Sequence, residues 1–326
     1  MKRRSLLICL TSVATTGALL TATFLAVPSL RLDPPASRAV ADPGVAPPTT
    51  TSPPASTRSP ATTSPASPSS APPETLSETE RNQLARAVSA AVTKISPKAQ
   101  IGFTIYDRKA GETLTSLSAD VPLYTASVVK LLIAIDTMHE DDGWHAPDTD
   151  AAKQLTTMLS GSNDGIASDL WVSDGGPVIV ERMAELIGLH HTTPSTDTGQ
   201  WGMAKASAND IVSIYQYIDT DMPDDERKLI MDALAKAKNP ADDGYPQYFG
   251  IPDGLPGMSW AIKQGWMVLK NALVLNTTGV VGPDSRYVVV LMTQQSAGIS
   301  NATGRSAVTA GISAIASALK ATAKPG

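Results

Sequence analysis

A mixed α+β fold is what this sequence predicts: an antiparallel sheet flanked by terminal helices, with an all-helical lobe between its early and late strands. Three observations carry it. Gln100–Asp107 and Glu112–Ser116 alternate in polarity around the turn Lys109-Ala-Gly111 and read as a β-hairpin. Three more strand-like stretches, Ser259–Trp266, Asn271–Val281 and Arg286–Thr293, crowd toward the other end. Among them Val288-Val-Val-Leu291 is an unbroken apolar run, suited to a central strand with both faces covered. Between hairpin and late strands, from Leu123 to about Ala237, the spacing is helical. A site is expected where that lobe meets the sheet.

The chain opens on a targeting segment, residues 1–41. Lys2, Arg3 and Arg4 precede an apolar run from Leu6 to Val27, and Ala39-Val-Ala41 before Asp42 is an A-x-A cleavage pattern. A cleaved secretory signal is favoured; the run is also long enough for an uncleaved membrane anchor. Both readings export the protein to the outer face of the membrane, secreted or envelope-associated. Cys9 is the single cysteine. It lies early and follows Ile8, not the small residue expected before a lipidated cysteine. The exported part therefore has no disulfide framework and must rest on a packed core.

Residues 42–76 are nearly all Pro, Ser, Thr and Ala, a composition that buries no core and reads as a disordered linker or stalk. The folded domain is expected over 77–326. Ser77-Glu-Thr-Glu80 is a capping box that opens a helix to about Ile95. The hydrophobic content of 42% is ample for a core. A net charge of −5 leaves no basic footprint for nucleic acid. Oligomeric state is not written in the sequence, and a monomer is expected.

Leu123–Ile135 is an apolar segment with one hydroxyl and one amine in its middle. Ser127 and Lys130 are three apart, which stacks them on one face of a helix. A buried lysine must find a partner or lose its charge. Beside a serine it becomes a means of activating a nucleophile; the alternative is a core helix whose lysine reaches solvent. The next stretch, Met138–Asp150, holds Glu140, Asp141, Asp142 and His145. It reads as a solvated loop, because no spaced metal-ligand pattern follows.

Lys153–Leu159 reads as a helix, followed by Ser160-Gly-Ser-Asn-Asp-Gly165 and a helix through Leu170 and Trp171. Taken alone, Ser-Asn-Asp is a turn and an N-cap. Val178–Ile187 is an amphipathic helix closed by Gly188. A polar loop with His190, His191 and Asp197 follows, then helices over Ile211–Ile218 and Asp224–Lys238. The Gly/Pro/Asp-rich stretch 239–257 carries Tyr245, Tyr248 and Phe249, which either line a cleft rim or pin the loop. Ser259–Trp266 is a strand carrying Lys263-Gln264-Gly265, and Arg305–Lys324 an Ala-rich amphipathic helix.

Read together, Ser127-x-x-Lys130, Ser162-Asn163-Asp164 and Lys263-Gln264-Gly265 stand in the order of S-x-x-K, S-D-N and K-T-G. Over Ser77 to Lys324 the chain resembles class A β-lactamases and the related penicillin-binding serine enzymes. The resemblance implies a β-lactamase/transpeptidase-like fold. It also implies an exported serine hydrolase that forms an acyl-serine with β-lactams or D-Ala-D-Ala-like cell-wall peptides.

The implied roles follow residue by residue. Ser127 is the nucleophile and Lys130 its base; Ser162 relays the proton to the leaving nitrogen. The family's amide role is divided between Asn163 and Asp164. Counted back from Leu170-Trp171, Asp164 stands where the family has asparagine; a one-residue insertion would make Asn163 the amide and Ser160 the start of the motif. Lys263 pairs with a substrate carboxylate and Gly265 lets the substrate lie along the strand, with Gln264 replacing the family's hydroxyl residue. The backbone N–H groups of Ser127 and Trp266 form the oxyanion hole. No metal or cofactor is required.

The family's β-lactamases carry a deacylating glutamate in the loop after Gly188. None stands between Gly188 and Ile211, so His190, His191 and Asp197 are the only substitutes and slow deacylation is expected. A non-catalytic cell-wall binding protein on the same fold is the alternative.

Overall fold

The computed structural model describes residues 76–140 and 142–322; the stretch read as a targeting segment, most of that read as a linker, Asp141 and residues 323–326 lie outside them. Helix α1 (Glu78–Ile95) opens on the expected capping box: Ser77 Oγ accepts from the Glu80 N–H, and the Glu80 carboxylate accepts from the Ser77 N–H. Strands β1 (Gln100–Asp107) and β2 (Glu112–Leu117) form the hairpin. The chain crosses through β3 (Leu123–Tyr124) and a 3-10 turn, Ala126–Val129, into α2 (Lys130–Thr137).

The helical lobe continues with a hairpin of β4 (His139–Glu140) and β5 (Gly143–Trp144), then α3 (Thr149–Ser160), α4 (Asp164–Ser173) and α5 (Pro177–Ile187). After a long loop, β6 (Lys205–Ala206) pairs with β3, and α6 (Ala208–Thr220) and α7 (Asp224–Ala235) complete the lobe. The short α8 (Ile251–Gly254) leads into β7 (Trp260–Val268), β8 (Ala272–Val281) and β9 (Tyr287–Ser296). Helices α9 (Asn301–Ser313) and α10 (Ala316–Thr322) close the chain. Among the described residues no helix is long and apolar enough to cross a membrane.

The five-stranded sheet runs β2-β1-β9-β8-β7, with every described pairing antiparallel. The apolar run Val288–Leu291 is thus in the central strand, and alternation sends its side chains to two cores. Val288, Val290 and Met292 face the helical lobe with Leu132, Ile133 and Tyr215. Tyr287, Val289 and Leu291 face α1 and α9 with Val88, Val92 and Val308. This is the predicted mixed fold.

Three local features differ from the sequence reading. The two-residue strands β3, β4, β5 and β6 are too short to leave an alternating pattern. The polar stretch after α2 is a small hairpin, not open loop. The backbone around Ser127 is a 3-10 turn, with α-helix starting only at Lys130. Three residues per turn still eclipse positions i and i+3, so Ser127 and Lys130 share a face.

Candidate active site

Three segments converge at β7, an edge strand of the sheet. The 3-10 turn brings Ser127, the junction of α3 and α4 brings Ser162, and β7 brings Lys263. Lys130 Nζ donates to Ser127 Oγ at 3.0 Å, to the Ser162 carbonyl oxygen at 2.6 Å and to Asp164 Oδ1 at 2.5 Å. Ser162 Oγ accepts from Lys263 Nζ at 2.9 Å and lies 3.3 Å from Lys130 Nζ. A continuous polar chain therefore runs Ser127–Lys130–Ser162–Lys263.

One of its members, and the residue before another, sit on costly backbone. Ala126, just before the nucleophile candidate, has φ 45°, and Ser162 has φ 53°. Left-handed conformations in non-glycine residues cost of order 1–3 kcal/mol each and persist only where surroundings over-determine them. Both residues are buried here.

Packing explains how the turn is held against the strand. A Cβ on residue 265 would lie 2.5 Å from the Thr125 carbonyl oxygen and 3.1 Å from Val128 Cγ2, so only glycine lets β7 approach so closely. Asn276 on β8 is a supporting residue that the sequence reading missed. Its amide donates to the Tyr124 and Thr125 carbonyls at 2.9 and 3.0 Å and accepts from the Thr293 N–H at 3.1 Å. The signal was an asparagine inside the apolar stretch Ala272–Val281.

Both lysines are fully buried, 0% exposed. Burial pushes the Lys130 amine below its ordinary range, and the carboxylates of Asp164, Asp243 and Asp242 oppose that. Lys263 is pushed down further, by burial and then by the positive charge of Lys130. An arriving carboxylate would favour its charged form, so Lys263 fits an anion partner that enters with its own charge.

The remaining candidates divide. Asn163 caps α4, accepting from the Ile166 N–H, and its amide nitrogen donates to Asp242 Oδ2. Asp164 takes the position against Lys130. Gln264 points to the α1/α9 face of the sheet, where its amide donates to the carbonyls of Gln247 and Phe249. Trp266 lies on that face too, stacked on Tyr245 at 4.8 Å with its indole N–H on Asp243. Alternation accounts for this: on β7, residues 263 and 265 face the helical lobe, and 264 and 266 face away. Gln264 and Trp266 can meet a ligand in the cleft only through backbone atoms. Tyr245, Tyr248 and Phe249 pin their loop: Phe249 is buried and the Tyr248 hydroxyl donates to the Ala237 carbonyl.

Among the described residues the hydrogen-bond and ion-pair partners of Lys130 are Ser127, Ser162 and Asp164, and the three substitute bases are not among them. His190 and His191 have exposed side chains and donate their backbone N–H groups to the Asp210 carboxylate. Asp197 is exposed and accepts from the Gly199 N–H. That loop instead lays the Trp201 ring over Lys130, its centroid 4.7 Å from Nζ. Elsewhere, Glu140, Asp142 and His145 bring ligand atoms within 4.8 Å of one another at the β4–β5 hairpin, all exposed. The His145–Asp142 pair already accounts for two of them.

Among solved structures, PBP-A superposes with a TM-score of 0.58 at 16% identity, over 74% of this chain and 97% of that one. The class A β-lactamase from Mycobacterium abscessus gives 0.58 at 17%, over 73% and 99%. The β-lactamase from Streptomyces albus G gives 0.57 at 18%, over 72% and 99%. At such identities the likeness is one of fold. No family profile matches the chain. In sequence, proteins of Mycobacterium tuberculosis and Mycobacterium bovis named "Putative lipoprotein LppW" are 35% identical over 216 residues, covering 65% of this chain and 68% of theirs. The chain therefore belongs to the family of the mycobacterial LppW proteins, on the fold shared by class A β-lactamases and PBP-A.

Proposed function

We propose that this protein is an exported active-site-serine hydrolase that forms an acyl-serine with β-lactams or D-Ala-D-Ala-like cell-wall peptides. The observation that carries the reading is the hydrogen-bonded chain Ser127–Lys130–Ser162–Lys263 at the edge of the sheet. Ser127 attacks the carbonyl carbon and its proton passes to a neutral Lys130. Ser162, in contact with both lysines, relays a proton to the leaving nitrogen. The N–H groups of Ser127 and Trp266 hold the oxyanion, a donor being worth about 3–4 kcal/mol in such a site. Lys263 receives the substrate carboxylate.

The basic-apolar start of the chain and the lipoprotein name of its relatives support an envelope location. Anchoring here would differ from a lipidated cysteine, since Cys9 follows Ile8. The test of activity is exposure to a fluorescent penicillin with mass mapping of the adduct. Labelling of Ser127, lost in Ser127→Ala, is expected; an adduct elsewhere that survives Ser127→Ala overturns the assignment.

Deacylation is expected to be slow. General-base assistance to water contributes typically about 10²–10⁴-fold. The loop between α5 and α6 directs an indole, not a carboxylate or imidazole, at Lys130. After removal of free benzylpenicillin, the covalent mass should persist for minutes or longer. Rapid multiple turnover would contradict this.

A second reading is a cell-wall binding protein without turnover on the same fold. It is favoured by Asp164, whose carboxylate against Lys130 stabilises the ammonium form, a poor base. Failure of Ser127 to label under any condition would select it.

A further inference from the structure

Lys130 Nζ has an unequal set of neighbours. The Asp164 carboxylate at 2.5 Å and the Ser162 carbonyl at 2.6 Å can only accept hydrogen bonds. Ser127 Oγ at 3.0 Å can accept or donate. As an ammonium, Lys130 has three N–H donors and all three are taken, so Ser127 is an acceptor and cannot hand over its proton. As a neutral amine it has two N–H groups and one lone pair. The carboxylate and the carbonyl hold the two N–H groups, and the lone pair is left toward Ser127. The other hydroxyl, Ser162 Oγ, is farther, at 3.3 Å, and already accepts from Lys263.

Solvent reaches this pair from one side. The Lys130 side chain is 0% exposed and that of Asp164 is 61% exposed. The other charges that face the amine are Lys263 on β7 and Asp242 and Asp243 on the loop after α7. The carboxylates of Asp242 and Asp243 are engaged, by Asn163 and Lys238 and by Trp266 and the Tyr245 N–H. Asp164 is thus the carboxylate in direct contact with the amine and the one through which its proton meets water.

We propose that Asp164 is a positioning residue: it aims the Lys130 amine at Ser127, holds it protonated at rest and passes its proton to water, so that Ser127 is armed only once the pair has lost one proton. The step balances. The Lys130–Asp164 pair releases a proton through the exposed carboxylate. The neutral amine then takes the Ser127 Oγ–H proton while Oγ bonds to the acyl carbon, and that proton leaves with the amine of the substrate by way of Ser162. The arming step rests on the reading of Ser127 as nucleophile; the pairing itself does not.

Two measurements on the full chain separate these. In protein labelled with ¹³C at lysine Cε, the Lys130 resonance, identified by its loss in Lys130→Met, is titrated in wild type, Asp164→Asn and Asp164→Glu. Removing a carboxylate in contact with an amine should lower the midpoint by about 1–3 units in Asp164→Asn; Asp164→Glu should restore it. An unchanged midpoint in Asp164→Asn overturns the proposal.

The second measurement is the rate of acylation by a fluorescent penicillin against pH. The acid limb should move down by the same interval in Asp164→Asn, and its high-pH plateau should exceed that of Asp164→Ala, because an amide oxygen can still accept the N–H. Asp164→Ala should show the shifted limb and a lower plateau. A plateau that Asp164→Ala leaves untouched overturns the aiming role. If wild type is never labelled while the Lys130 midpoint still falls in Asp164→Asn, the acyl-serine reading fails and the Lys130–Asp164 pairing stands.

Discussion

Ser162 Oγ is shared by two buried lysines, 2.9 Å from Lys263 and 3.3 Å from Lys130. Two ammonium groups on one hydroxyl repel, and neither reaches water. Lys263 carries more of the cost, since among the described residues no carboxylate accepts from it; its partners there are Ser162 Oγ and the Gln264 carbonyl. Its amine is therefore pushed well below the usual lysine range, by burial first. The sign for stability follows. An unfolded Lys263 binds its proton near pH 10.4 and a folded one only at lower pH, so the unfolded state holds more protons in between and stability falls as pH drops through that window. Burying a charge without a paired counter-charge is costly, and even buried ion pairs are often replaced by apolar side chains of similar size with no loss or with a gain of about 1–4 kcal/mol. Lys263→Met should accordingly lose penicillin labelling yet melt at the same or a higher temperature at pH 7, by about 2–4 °C per kcal/mol in a domain of this size. Its advantage should shrink as pH rises past about 10.4, where both states of the wild type are neutral. A clearly lower melting temperature at pH 7 would mean that the lysine contributes net stability and would sink the argument.

At the scale of elements, the 3-10 turn carrying Ser127 is clamped between β7 and β8, and Asn276 makes the clamp. Asn276→Ala would leave the Tyr124 and Thr125 carbonyls and the Thr293 N–H without this partner. Each buried polar group left unpaired costs about 1–3 kcal/mol. A drop of several degrees in melting temperature is expected, with slower labelling of Ser127 although the hydrogen bonds of Asn276 go to Tyr124, Thr125 and Thr293; unchanged melting and labelling would show that packing alone holds the turn. This contact also marks what the sequence could and could not say. The capping box at Ser77, the hairpin and the Val288–Leu291 run were legible because each is a local pattern with one physical reading. Ser127, Lys130, Ser162 and Lys263 were legible as motifs in order, and the eclipsed i,i+3 geometry of a 3-10 turn preserved a pairing expected of a helix. Asn276 pairs with residues 151 and 152 positions away, beyond any local periodicity. The orientation of Gln264 was open to simple alternation along β7, whereas the Trp201 ring on Lys130 depends on a loop whose path no pattern announces.

For the whole molecule, the sheet separates two cores, and the candidate site draws Ser127, Lys130 and Ser162 from one side and Lys263 from the sheet itself. Neither half can hold the candidate site alone, so the smallest fragment that keeps it must keep both. Helix α1 belongs to it. Val88 and Val92 are fully buried, and a Cβ at Gly311 on α9 would come within 2.7 Å of Val92 Cγ2. Arg81 ties the helix to β2 through the Thr113 carbonyl and Glu112, and Thr115 Oγ1 donates to the Arg81 carbonyl. The stretch before Ser77 has the opposite composition, nearly all Pro, Ser, Thr and Ala, from which we infer a linker with no core of its own to protect it. Limited proteolysis of the full chain should therefore cut within residues 42–73 and stop near Ser77. The resistant fragment should label with fluorescent penicillin as fast as the intact protein. Two results would contradict this account: protection of residues 42–73, or a fragment that has lost α1 and still labels at the full rate. The second would mean that the α1/α9 core is dispensable for holding Lys263 against Ser162.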